Sequence, residues 1–97
     1  MGDLLLLCVL LWAHEGHEEE LAAYEDQVLV LITDHGGRVR SRVRTIGDPA
    51  GPTEVQLLQF PSEAALDAYM HDPRRAALGA ERDACVARTQ VLRVEDA

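Results

Sequence analysis

The chain has 97 residues, the length of one modest domain, and its 47% hydrophobic and 27% charged residues describe a sequence that folds around a core. Its 9 cationic residues are all arginine, 17 acids outweigh them to a formal charge of -8, and only 4% of residues are aromatic. Too few cations to neutralise phosphates and too few rings to stack bases argue against a general nucleic-acid binder.

Leu4 to Ala13 is apolar at every position, so neither period 2 nor period 3.6 selects its type. Its short length and the Gly16 that follows select a strand, and apolarity on both sides makes that strand central. The run is too short for a membrane helix, which needs roughly 20 residues. It also lacks the flanks of a secretory signal: Asp3 precedes it, the first basic residue is Arg38, and His14-Glu15-Gly16-His17 follows. From His17 to His35, the spacing of Leu21, Tyr24, Val28, Leu31 and Ile32 predicts a helix with one apolar stripe. Glu18, Glu19 and Glu20 suit its positive end, and Gly36-Gly37 stops it.

Arg38 to Thr45 alternates strictly, which predicts a half-exposed strand with Arg38, Arg40, Arg42 and Arg44 on one face. The cluster from Gly47 to Pro52 turns the chain into a second strand, Glu54 to Phe60. Ser62 then caps a helix whose buried stripe is Ala65, Leu66, Tyr69 and Met70. Asp72-Pro73 repeats the start signal and predicts a further helix to about Ala84. A last strand, Arg88 to Glu95, sets Val91 on one face and Leu92 and Val94 on the other.

Strand, helix, strand, strand, helix, strand is the order of an α+β, ferredoxin-like split β-α-β fold, a four-stranded antiparallel sheet with its helices on one face. Such a sheet leaves its other face bare. With the helices over Leu4, Leu6, Leu10 and Trp12, exposure of Leu5, Leu7, Val9 and Leu11 would forgo roughly 6 to 12 kcal/mol, so a second copy of the sheet is expected to cover them. Asp at Leu7 or Val9 is accordingly expected to dissociate that dimer and to unfold the chain, because it buries an unpaired charge.

Glu18 to Glu25, His35-Gly36-Gly37-Arg38-Val39, Phe60-Pro61-Ser62-Glu63-Ala64-Ala65, and Asp72-Pro73 with Arg82 beyond resemble the small dimeric α+β barrel proteins. Nearest is a family catalogued as a domain of unknown function, with antibiotic-biosynthesis monooxygenases and EthD-like proteins more distant. The resemblance spans nearly the whole chain and implies one domain, residues 1-97, that pairs as a homodimer with an apolar cavity between the sheets. Haem-degrading members of this fold use an Asn in the cavity, and this sequence has none. Oxygenation of polyphenols without a cofactor, as other members perform, leaves no compact motif.

Among chemical constellations, His14-Glu15-Gly16-His17 lacks the i, i+4 histidines of a zincin helix and a third ligand, so no metal is expected. As a strand-to-helix turn, it places His14 and His17 at the mouth of a barrel cavity. His71-Asp72 has the residue types of an acid-base pair, although Asp72 also caps the following helix. His35 stands at a helix end. The four-arginine row reads as edge-strand protection paired with acids such as Glu18, Glu19, Glu20, Glu25 and Asp26, or as an anion site. Arg82 matches an Arg of the resembled pattern.

The sequence reading is therefore a small dimeric barrel protein with His71 and Arg82 as catalytic candidates and Trp12, His14, His17, Tyr24, Phe60 and Tyr69 as ligand-binding candidates. It is either an enzyme, oxygenase-like or isomerase-like, acting on a hydrophobic or aromatic small molecule, or a non-catalytic ligand-binding or structural dimer. No cofactor, nucleic acid or membrane partner is expected. Two cysteines, Cys8 and Cys85, are too few for a disulfide scaffold; they imply a cytoplasmic setting and are expected to stay free.

Overall fold

The computed structural model describes residues 4–97. Its elements are β1 (Leu5–Ala13), α1 (Glu18–Leu29) continued by a 3₁₀ segment (Val30–His35), β2 (Arg38–Arg44), β3 (Glu54–Phe60), α2 (Glu63–Met70), α3 (Pro73–Ala76), α4 (Gly79–Cys85) and β4 (Val86–Val94). The four strands form one sheet in the order β2-β3-β1-β4, with every neighbouring pair antiparallel. The strand that is apolar on both sides is thus central, flanked by β3 and β4.

Local chemistry accounts for the element ends. Ser62 Oγ accepts from the Ala65 amide at 3.1 Å to start α2, and Asp72 Oδ1 accepts from the Arg74 amide at 2.8 Å to start α3 at Pro73. No side chain caps α1, whose start rests on Glu18, Glu19 and Glu20 against the helix dipole. The single helix expected from His17 to His35 tightens to 3₁₀ after Leu29. β-Branched Val30, Ile32 and Thr33 crowd that segment, and the Thr33 hydroxyl donates to the Val30 carbonyl at 2.9 Å. The helix expected from Pro73 to Ala84 is two pieces, because Leu78 turns into the core and Gly79 disfavours helix interior.

Register assigns the faces. Leu7, Val9 and Leu11 pair with Leu58, Gln56 and Glu54, and all six are buried beneath the helices with Leu21, Val28, Ile32 and Phe60. The expectation that Leu7, Val9 and Leu11 face a partner sheet is corrected: the helices cover them, and Leu6, Cys8, Leu10 and Trp12 form the bare face. An all-apolar strand contains no polar position to mark its outer side. Val55 and Leu57 of β3 and Leu92 and Val94 of β4 join that bare face, as their partners Leu10, Cys8 and Leu6 show. Aspartate at Leu7 or Val9 would therefore damage the core rather than an outer face.

The arginine row is also corrected. Val39 pairs with Leu58 and Ser41 with Leu57, so β2 holds one extra residue, a bulge at Arg40. The bulge changes parity: Arg38 shares the bare face with Gln59, whereas Arg42 and Arg44 lie on the helix side with Gln56 and Glu54.

Two stability predictions follow from this packing. A Cβ on Gly37 would stand 2.7 Å from the Gln59 carbonyl oxygen and 2.7 Å from Ile32 Cγ2, so Gly37→Ala should lower urea unfolding stability by about 2 kcal/mol. Cys8 pairs with Leu92, which places Cys85, at the far end of β4, well outside disulfide reach, and both thiols are free. Denatured without reductant, the chain should titrate as two thiols; a result of none would overturn this register.

Candidate functional site

A cavity of about 350 Å³ lies between the helix-facing side of the sheet and the helices. Leu7, Val9, Leu58 and Phe60 form its floor, and Val28, Leu29 and Leu66 close the other side. The expected cavity between two sheets is a property of a pair of chains; this space lies within one chain, between its own sheet and helices, and has the exposed Thr89, Val91 and Arg93 in its lining. Set into this apolar lining are Tyr24, Glu25, Gln56, Tyr69, Arg75 and Arg82.

A hydrogen-bond chain running inward from the part-buried Arg42 holds Gln56 and Glu25. Arg42 from β2 grips Glu54 with two bonds, Nε to Oε2 at 2.8 Å and an Nη to Oε1 at 3.0 Å, and donates to Asp26 at 2.7 Å. Gln56 Nε2 donates both to Glu54 Oε2, at 2.7 Å, and to Glu25 Oε1, at 2.6 Å. Glu54 thus shares a charge with Arg42, while Glu25, only 5% exposed, has Gln56 alone. Burial pushes the Glu25 carboxyl above its ordinary value and the nearby Glu54 charge adds to this, against the Gln56 bond and the positive Arg42 and Arg75. Burial likewise raises Tyr24 and Tyr69, with Glu25 adding to the first and Arg75 opposing the second. These tyrosines therefore enter the cavity as neutral hydroxyls.

Of the residues singled out in the sequence, Tyr24, Phe60, Tyr69 and Arg82 line this cavity. The Phe60 and Tyr69 rings meet at 5.5 Å, and an Arg82 Nη donates to the Thr89 hydroxyl at 3.1 Å. Trp12, His14, His17 and His71 lie outside the lining. The Trp12 indole donates to the Ala50 carbonyl at 3.2 Å, and the Arg88 guanidinium stacks on its ring at 4.3 Å. His14 and His17 meet edge to face at 6.3 Å, and among the described residues no three His, Cys, Asp or Glu side chains converge as a metal site.

His71-Asp72 does not form a pair. The His71 side chain is 76% exposed beside Asp67, whereas Asp72 Oδ2 meets His35 Nε2 at 2.8 Å. Donation from the Arg74 side chain, then from His35 and the Arg74 amide, holds the Asp72 carboxyl well below the usual carboxylate range. His35 packs edge to face on Tyr69 at 6.2 Å, so this cluster braces the cavity wall from outside.

Sequence reasoning missed Glu25, Gln56 and Arg75 as site residues. A signal existed for two of them. Glu25 falls four residues after Leu21 and three before Val28, on the apolar stripe itself, and Gln56 alternates with Leu58 and Phe60. A polar side chain at a core position carries a reason for being there.

No family model matches this chain, and no curated protein matches it. Solved structures do match. An uncharacterized NIPSNAP-like domain protein from Burkholderia xenovorans aligns with a TM-score of 0.78 at 12% identity, over 100% of this chain and 88% of that one. A DABB family protein with a ferredoxin-like fold from Mesorhizobium loti gives 0.71 at 15% identity, over 97% of both chains. A dimeric protein of unknown function and ferredoxin-like fold from Bacteroides fragilis gives 0.70 at 13% identity, over 97% of both. The fold is ferredoxin-like. Similarity at these identities carries the architecture and no residue role.

The ion-pair geometry predicts that Arg42→Met will cost about 3 kcal/mol in urea unfolding, since it strands the buried Glu54 carboxylate. Glu25 carries a linkage signature. Its folded pKa lies above the unfolded one, so the folded chain holds the proton more tightly, and stability present at low pH is lost as pH rises through the folded value. Glu25→Gln should remove that slope, gaining stability over the parent as pH rises from the ordinary carboxylate range through the folded value; parallel pH dependences of unfolding for the two proteins would contradict the assignment.

Proposed function

We propose that this chain works as a homodimer that binds a hydrophobic or aromatic small molecule in the cavity between its sheet and helices, and that it acts on that molecule as an enzyme. The carrying observation is the cavity itself, a mostly apolar space of about 350 Å³ whose lining also includes Glu25, Gln56, Arg75, Arg82 and two tyrosines. Mostly apolar lining with a few convergent polar groups is the usual form of a small-molecule site. A purely structural module would fill this volume with Leu and Val. Titratable groups converging in an unfilled cavity favour chemistry over passive binding.

Dimerisation is supported by the bare sheet face. Leu6, Cys8, Leu10, Val55, Leu57 and Leu92 make a continuous apolar surface, and β4 is exposed along its length beyond Val86. A second copy is the self-complementary way to cover it. The Bacteroides fragilis structure of the same fold is described as dimeric. Among the described residues no helix is long and apolar enough to cross a membrane.

Light scattering at micromolar concentration should give about twice the chain mass of 10.7 kDa, and Leu10→Asp should give a folded species of half that size. A monomeric parent protein would overturn the dimer. For the cavity, the probe is anilinonaphthalene sulfonate, followed by fluorescence. Leu66→Trp, which fills the space, should weaken its binding about tenfold or more, and equal binding would overturn the cavity reading.

A further inference from the structure

Two groups of opposite charge share this cavity without satisfying each other. Glu25 Oε1 accepts from the Gln56 amide at 2.6 Å, and its Oε2 has no hydrogen-bond partner among the described residues. Arg75, on α3, lines the same cavity with its guanidinium 5.3 Å from the Tyr69 ring centre, and its Nε is buried with no partner among the described residues. Arg40, Arg42, Arg74 and Arg93, in contrast, are each held by a carboxylate. A buried donor left without an acceptor carries a penalty that a bound molecule can relieve. The complement of this pair is an otherwise apolar molecule with an oxygen that carries or develops negative charge at Arg75 and an acidic hydrogen at Glu25. A carbonyl compound with a hydrogen on the adjacent carbon has both.

Resting on the small-molecule reading above, we propose that Glu25 and Arg75 are a catalytic pair that transfers a proton on an enolisable carbonyl compound, represented by the aromatic 2-oxo acids. Ionised Glu25 takes the proton from the carbon next to the carbonyl. The C–H bond breaks and an O–H bond forms on Glu25; the C–H electron pair becomes the new C=C bond, and the carbonyl π pair moves to oxygen. Arg75 faces the resulting enolate. Glu25 then returns the proton to the enolate oxygen or to another carbon, so the reaction is an isomerisation with no net oxidation and no co-reactant. Gln56 is a positioning residue: its amide holds one Glu25 oxygen and is itself held by Glu54, which Arg42 pins.

Burial suits Glu25 to this role, because a carboxyl raised above its ordinary value is the stronger base in its ionised form. The charged and titratable groups facing it are Tyr24 on α1, Glu54 on β3, Arg42 on β2, Tyr69 on α2, Arg75 on α3 and Cys85 on α4.

The test uses the full chain and phenylpyruvate in deuterium oxide, with proton NMR following loss of the benzylic hydrogens against a protein-free control. The parent protein should accelerate exchange. Glu25→Gln should lower the accelerated rate about 100-fold or more while phenylpyruvate binding changes by less than about threefold, and Arg75→Gln should weaken both. The parent rate should rise through one ionisation lying above the ordinary carboxylate range, a readout that needs no variant to fold. Exchange at the control rate, a Glu25→Gln rate equal to the parent, or a pH profile without that ionisation would each overturn the proposal. Retained anilinonaphthalene sulfonate binding would then show that the cavity reading survives, and its loss that both have failed.

Discussion

The two-sided apolarity of β1 is the constraint on which the rest of this structure depends. A strand with no polar side can stand only where both faces are covered, and the order β2-β3-β1-β4 puts it in the interior of the sheet. One cover is supplied by the chain's own helices over Leu7, Val9 and Leu11. The other face, with Leu6, Cys8 and Leu10 among Val55, Leu57 and Leu92, is what makes a second copy the reading of choice.

The same sheet decides where polar groups can be kept. β3 presents Glu54, Gln56, Leu58 and Phe60 to the helices in turn, so its buried row changes from carboxylate and amide to hydrocarbon along a single strand. The cavity takes Gln56, Leu58 and Phe60 from that row. Two carboxylates sit near Gln56 and differ only in their remaining partners. Glu54 has the two-bond grip of Arg42, whereas Glu25 accepts from the Gln56 amide and has no carboxylate–guanidinium pair among the described residues.

The bulge at Arg40 has a matching consequence. Without the extra residue, Arg38 and Arg42 would share a face; with it, Arg42 turns under the helices to Glu54 and Asp26, while Arg40 pairs with Asp96 near the chain end. A feature that reads as one row of charge thus serves two surfaces, and the member that matters for the cavity is the one the bulge redirects. The Asp72 cluster shows a similar division: its cap and its Arg74 grip are local, yet its histidine partner, His35, arrives from the end of the 3₁₀ segment.

The sequence by itself determined the element order, the centrality of β1, the stop at Gly36-Gly37, the caps at Ser62 and Asp72 and the free cysteines, because each rests on residues adjacent in the chain or on periodicity along one element. It also placed Tyr24, Phe60, Tyr69 and Arg82 among the residues to watch, and these line the cavity. Which side of β1 the helices cover was left to the tertiary structure, since a strand of leucine and valine has no marked face and only the register against Glu54, Gln56 and Leu58 breaks the tie. The location of the cavity follows from that choice. The union of Glu25, Gln56, Glu54 and Arg42, and the exchange of His71 for His35 as the partner of Asp72, depend on strand pairing and helix docking between residues 12 to 37 positions apart. Local pattern records which residues are polar on an apolar face; only the folded chain decides which of them meet.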